Sequence, residues 1–171
     1  MATAKKSTSK TSTDAIALLT QDHADVKALF KKYKQLCESG ADGSEKEAIA
    51  LEICTQLTAH ATVEEEIFYP ATRAEDTDDL LDEAEVEHGT AKDLIAQIED
   101  MEPDDDLYDA KVTVLGEYID HHVKEEQDEM FPKCAKSAMD LKAFGAEMAT
   151  RTVELVAAVE AQARHAALAE H

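Results

Sequence analysis

Apolar residues recur along this chain at intervals of three and four, the spacing that places them on one side of an α-helix. Ile16, Leu19, Val26 and Phe30 form one such stripe, and Ile53, Leu57 and Ile67 form a second. Leu81, Ala84, Ala91, Ile95 and Ile98 make a third, and Val112, Leu115, Ile119 and Met130 a fourth. Helix signals bound each stripe. Thr13 can cap a first helix running to about Ser39, where Gly40 and Gly43 stop it. Ser44-Glu45-Lys46-Glu47 reads as a capping box for a second helix that reaches Phe68, ahead of Pro70. Thr77 or Asp78 opens a third helix lasting to about Asp100, before Pro103. The acidic turn Asp104 to Asp106 opens a fourth, which Pro132 ends near Phe131. Ser137 opens a fifth, Ala-rich helix to about Arg164, beyond which the chain is expected to fray.

Connections of only a few residues make successive helices antiparallel neighbours. The expected fold is all-α: an up-down-up-down four-helix bundle over residues 13–135, with an additional C-terminal helix over residues 136–165 packed on it. Residues 1–12, rich in Lys, Ser and Thr, read as a disordered tail. Aromatic residues are only 5% of the chain and Trp is absent, a composition that favours helices over sheets.

The stripes carry polar groups as well. His23 falls on the first, His60 and Glu64 on the second, His88 on the third, and His122 and Glu126 on the fourth. Two strings repeat one pattern: His60-Ala61-Thr62-Val63-Glu64 before Pro70, and His122-Val123-Lys124-Glu125-Glu126 before Pro132. Each is preceded by a lone His that follows an acidic residue, Asp22-His23 and Glu87-His88. A His and a Glu four apart on a helix point the same way and can share one metal ion. Four helices bearing this set would bring four imidazoles and two carboxylates to one point, enough for two ions. No Lys or Arg lies on the stripes to pair with the carboxylates, and each would cost several kcal/mol if buried without a cation. A divalent ion removes that cost. The fourth helix offers a competing register through His121 and Glu125, which would turn Lys111 and Asp128 inward. Alignment of the repeat on Pro132 selects His122 and Glu126 and leaves His121 solvated or beside the site.

This order of His and His-x-x-x-Glu elements over about residues 14–135 resembles the hemerythrin family, in particular its bacterial HHE cation-binding domains. The resemblance implies a non-haem di-iron centre. It makes Glu64 and Glu126 bridging carboxylates and His23, His60, His88 and His122 terminal ligands. The chain departs from the oxygen-carrying hemerythrins, which place two histidines four apart on the third helix; the positions around His88 are Ala84 and Lys92. Their last His and its carboxylate are also one residue further apart. One imidazole is therefore missing. That leaves an open position, or a place for another oxygen donor, with Glu65 the nearest candidate and Tyr69 a more remote one.

Mixed imidazole and carboxylate donors suit Fe, Mn or Zn, and a carboxylate-bridged pair suits redox work, so two non-haem iron ions lead. The expected ligand is dioxygen, another small diatomic, or peroxide. Two functional classes follow: a metal- and oxygen-binding protein of sensing, storage or stress response, and a di-iron catalase or peroxidase. The net charge of −21 disfavours nucleic acid and anionic membranes as partners. Three scattered cysteines, Cys37, Cys54 and Cys134, read as reduced thiols of a cytoplasmic protein. The fifth helix bears more apolar positions (Leu141, Phe144, Met148, Val153, Leu155, Val156, Val159) than one narrow seam requires, which fits a monomer or a homodimer.

Overall fold

A computed structural model describes residues 13–73 and 77–169; the basic tail expected at residues 1–12 lies outside them. Five long helices make up the fold, and the described residues form no β-strand: α1 (Ala15–Ser39), α2 (Gly43–Val63), α3 (Asp78–Glu99), α4 (Tyr108–Glu125) and α5 (Leu141–Ala169). None is long and apolar enough to cross a membrane. α1 packs between α2 and α4, and α3 packs against the same two helices, so the first four close a bundle. Their directions alternate. Along α1 and α4 the cross-links run Tyr33 to Asp109, Lys27 to Asp120 and His23 to Glu126, the order of an antiparallel pair. α5 lies outside, on α1 and α2, where Met148 is fully buried while Val153 stays exposed.

Several helix ends differ from the sequence expectation. Asp14, not Thr13, caps α1 by accepting from the Ala17 N–H at 2.8 Å. Gly40 then ends α1 with a φ of +68°, and Ala41 N–H reaches back to the Leu36 carbonyl, closing the last turn. Asp42 caps α2 through the Glu45 N–H at 3.0 Å, and Ser44 merely donates to Asp42. Thr77 donates its hydroxyl to the Thr72 carbonyl instead of capping α3. Asp104 to Asp106 remain in the loop, and α4 starts after Leu107, whose φ of +74° turns the chain. Ser137 closes the turn before α5, Asp140 caps it by accepting from Ala143 N–H, and the helix persists to Ala169. At α1 and α2 a carboxylate competed with a hydroxyl one or two positions away, and the stronger acceptor took the N–H.

The prolines also act differently from expectation. Neither Pro70 nor Pro132 ends its helix. α2 continues through a π-helical turn, Glu64–Phe68, into a short α-turn, Tyr69–Thr72; α4 continues through Glu126–Met130 into Phe131–Lys136. A proline has no N–H and its ring collides with the carbonyl four residues back in a regular helix. The widened turn just before each proline absorbs that collision. Its mark is the Tyr69 N–H bonding to the Glu64 carbonyl, and the Phe131 N–H to that of Glu126, five residues back in both cases.

Two apolar clusters fill the bundle. One gathers Val26, Ile53, Leu57, Ile95, Val112 and Leu115; the other gathers Leu19, Val63, Phe68, Leu81, Met130 and Met148. The layer between them is where the polar stripe residues meet. α5 seals the second cluster, and it does so at close range. A methyl group on Gly145 would sit 2.3 Å from the Thr13 carbonyl oxygen and 2.8 Å from the Ala15 nitrogen. Gly145→Ala should therefore destabilise the fold by about 2 kcal/mol despite its better helix propensity, because backbone cannot step aside. Gly89→Ala, whose methyl meets nothing within 4 Å, should gain about 0.5–1 kcal/mol. Urea denaturation of both variants in the same metal state measures the contrast.

Candidate metal centre

Each polar stripe residue reaches the middle layer from its own helix: His23 from α1, His60 from α2, His88 from α3 and His122 from α4. Glu64 and Glu126 stand at the first residue of the two π-turns. All six are buried, and Glu64 is 0% exposed. The imidazoles meet in pairs through Nε2: His23 and His60 at 3.1 Å, His88 and His122 at 3.1 Å. Their donor atoms form two groups that share Glu64. His23, His60, Glu64 and Glu126 make one; Glu64, His88 and His122 make the other. The register in α4 is that of His122, since His121 points outward with its side chain 63% exposed.

Every imidazole is held from behind. His60 Nδ1 faces Asp22 at 3.3 Å, His122 Nδ1 faces Glu87 at 2.7 Å, and His88 Nδ1 faces Glu65 at 2.9 Å. A carboxylate there accepts a hydrogen bond from Nδ1–H and leaves the Nε2 lone pair directed inward, the tautomer a metal requires. His23 Nδ1 lies 3.2 Å from the side-chain amide nitrogen of Gln127, a neutral group where the other three imidazoles meet a carboxylate. The acidic residue before each lone His thus serves the His of the partner helix. Asp22 and Glu87 were visible in the repeat, yet their part in it shows only in the packing.

The inner face is a problem of like meeting like. Glu64 Oε1 and Glu126 Oε2 are buried and accept no hydrogen bond, although His60 Nε2 and His23 Nε2 each lie 3.2 Å away. Ring nitrogens and carboxylate oxygens converge, and added positive charge, as protons on the imidazoles or as a metal ion, satisfies both at once. The local field agrees. Burial alone would lower His60, but Glu64 and then Asp22 outweigh it and hold its pKa well above the usual imidazole value. Burial likewise works against His122, whose pKa is nonetheless pushed up to about 9, chiefly by its hydrogen bond to Glu87 and by the Glu126 charge. Burial would raise Glu64, and the imidazoles, His60 first, hold it below the carboxylate range instead. A place that raises imidazoles and lowers a buried carboxylate is a place that favours positive charge. The donors present fit a metal pair.

The oxygen donor expected in place of the missing imidazole is corrected here. Glu65 turns outward to His88 Nδ1 and to Lys92, 2.7 Å away. Tyr69 occupies the middle: its hydroxyl lies 3.0 Å from Glu126, 3.3 Å from Glu64, and 3.3 and 3.5 Å from Nε2 of His88 and His122. In an α-helix, five residues on from Glu64 is about 140° around the axis. The π-turn brings that position back over Glu64, so a change of helix type selects Tyr69. The second π-turn does the same for Phe131, which stacks on His23 with ring centres 5.8 Å apart. Burial, then the Glu64 and Glu126 charges, push the Tyr69 phenol well above its usual value, so it holds its proton there.

On the side away from Tyr69 a cavity of about 30 Å³ opens onto the centre. All four imidazoles reach it, and Val26, Leu57, Ile95 and Ile119 form its apolar wall. That is room for one water molecule or a diatomic.

The family model of the hemerythrin HHE cation binding domain matches residues 14–134. A crystal structure of a hemerythrin HHE cation binding domain-containing protein from Mycobacterium kansasii is similar in fold, with a TM-score of 0.73 at 22% identity, over 88% of this chain and 92% of that one. A DNA nickase of Nostoc sp. is 30% identical over 118 residues, which are 67% of this chain and 31% of the relative. The chain thus spans about a third of that relative's length. Orphaned carboxylate oxygens that call for a cation are in keeping with the family's description, and the chain belongs to it: this is a metal-binding protein of the hemerythrin HHE cation-binding domain family.

Proposed function

We propose that the centre holds two iron ions and that the protein binds a small oxygen ligand there, in sensing, storage or a stress response. The observation that carries this reading is the pair of donor groups sharing Glu64, with every Nε2 turned inward and no thiolate among the donors. Imidazole and carboxylate together suit iron, with manganese and zinc as competitors. Bound iron supplies Lewis acidity and one-electron redox capacity. The chain supplies the rest. Its apolar cavity admits a molecule the size of dioxygen, nitric oxide or peroxide and turns away larger substrates. Asp22, Glu65 and Glu87 keep the imidazoles aimed. Tyr69 adds an oxygen to the His88 and His122 half, which has one imidazole fewer than the oxygen-carrying hemerythrins. The nickase activity named for the Nostoc relative is not carried over, because the match spans a minority of that protein and a net charge of −21 repels phosphate backbones.

A second reading, consumption of hydrogen peroxide, draws on one further observation. Tyr69 keeps a proton inside the centre, 3.0 Å from Glu126, and such a donor–acceptor pair can move a proton to and from a bound ligand. Both readings need the same metal load.

Iron-replete protein should therefore carry about two iron atoms per chain, as the two donor groups require. Glu126→Ala should lose most of the load and His121→Ala almost none; the reverse pattern in elemental analysis would refute the site. Bound metal should also stabilise the fold, by about 2.7 kcal/mol at a free metal concentration a hundred times the dissociation constant, and so raise the melting temperature. Equal melting with and without iron would mean that the carboxylates are solvated. Tyr69→Phe separates the two functional readings. Phe131 stands at the matched place in the second half, so the fold accepts Phe and the iron load should persist. Under the peroxide reading, oxygen evolution from hydrogen peroxide should fall about 10²-fold or more in this variant. Under the binding reading, the unsubstituted protein already turns over no faster than free iron.

A further inference from the structure

A third group of donors lies outside the buried centre, and two of its three members, His121 and Glu125, are used by neither reading. Glu87, His121 and Glu125 place one ligand atom each within 4.8 Å of one another, in a gradient from buried to exposed. His121 Nε2 lies 3.3 Å from Glu125 Oε1 and 3.6 Å from Glu87 Oε1. The other oxygen of Glu87 accepts the Nδ1 proton of His122, so one carboxylate touches both the surface cluster and a residue of the centre. Outside, the cluster opens on a groove of about 700 Å³ whose acidic rim includes Glu83 and Glu117. Inside, a gap of about 10 Å³ is lined by Glu87, Glu125, His122 and Glu126. Glu87 lines both spaces.

The geometry points to Glu87, His121 and Glu125 as a surface site for a divalent cation that hands metal to the His122 and Glu126 side of the buried centre. The assignment rests on the reading of that centre as a metal site. Imidazole with two carboxylates is a donor set for a borderline ion such as Fe²⁺ or Mn²⁺. The acidic groove concentrates cations at its mouth, and low-dielectric walls strengthen that pull. A hydrated ion is too large for the inner gap. It must exchange waters for protein oxygens first, and Glu125 and Glu87 stand where that exchange would occur. Glu125 sits one residue before Glu126, and both side chains line the inner gap.

Two measurements on the full chain test the assignment, using a variant that combines His121→Ala with Glu125→Gln. The first is titration with Mn²⁺, followed by the electron paramagnetic resonance of the free ion. The unsubstituted protein should bind one more Mn²⁺ than the variant, while Glu52→Gln, an equal change of charge at an exposed position on α2, should lose none. The second is the rate of Fe²⁺ uptake by chelator-stripped protein. The variant should load about tenfold more slowly, yet reach the same final iron content and melting temperature. Equal Mn²⁺ stoichiometry in protein and variant overturns the surface site, and equal loading rates overturn the transfer. A variant that ends with less iron also overturns it, by placing these residues in the ligand set. If the unsubstituted protein takes up no iron at all, the reading of the centre fails instead, and the Mn²⁺ titration still decides the surface site.

Discussion

Burying Glu64 and Glu126 in a layer between two apolar clusters is the constraint that governs this protein. A carboxylate taken out of water without a partner costs several kcal/mol, and two within one layer repel each other besides. Nearby lysines do not answer that cost; Lys92 and Lys124 are engaged by Glu65 and Asp128 on the outside. Four imidazoles turned inward through Nε2 leave the centre dependent on cations, and the outer carboxylates fix it that way by claiming Nδ1. The apolar clusters on either side then do what clusters in other bundles do, except that they also keep the dielectric low and the charges strong.

The arrangement is a repeated one. Asp22 holds His60 as Glu87 holds His122, while Glu65 holds His88 and Gln127 faces His23. The halves part company at two positions. Glu65 is charged where Gln127 is neutral, and Tyr69 brings a hydroxyl where Phe131 brings only a ring. Both differences fall on the His88 and His122 side, which gains an extra oxygen and a more negative support behind its imidazole. The two donor groups are therefore chemically unequal, although the helices that carry them are near copies.

Much of this was legible in the sequence because it depends on helical period. The stripes placed His23, His60, Glu64, His88, His122 and Glu126 on inward faces, and the structure draws those six together. Alignment on Pro132 chose between His121 and His122, and the buried residue is His122. The prolines themselves misled, since a proline in sequence signals an end and gives no sign that a wider turn will carry the helix past it. Tyr69 was weighed as an oxygen donor but ranked behind Glu65 for the same reason: at 3.6 residues per turn it faces away. Capping was misplaced by one to three residues where Asp14, Asp42 or Asp140 stood near a hydroxyl. Asp22 and Glu87 were seen as neighbours of histidines in the chain, whereas their partners come from other helices.

Two of the four outer holding groups cross between the two helical hairpins. Glu65, on the first, aims His88 on the second; Gln127, on the second, faces His23 on the first. During synthesis the ribosome releases the first hairpin well before the second. That early segment offers two imidazoles and one carboxylate to an ion, with His23 lacking the contact that orients it. The complete donor sets exist only once Gln127 has left the exit tunnel and the hairpins have docked. Complete donor groups are thus a property of the finished bundle, and a chain interrupted between Pro103 and Glu126 lacks at least the Glu126 carboxylate.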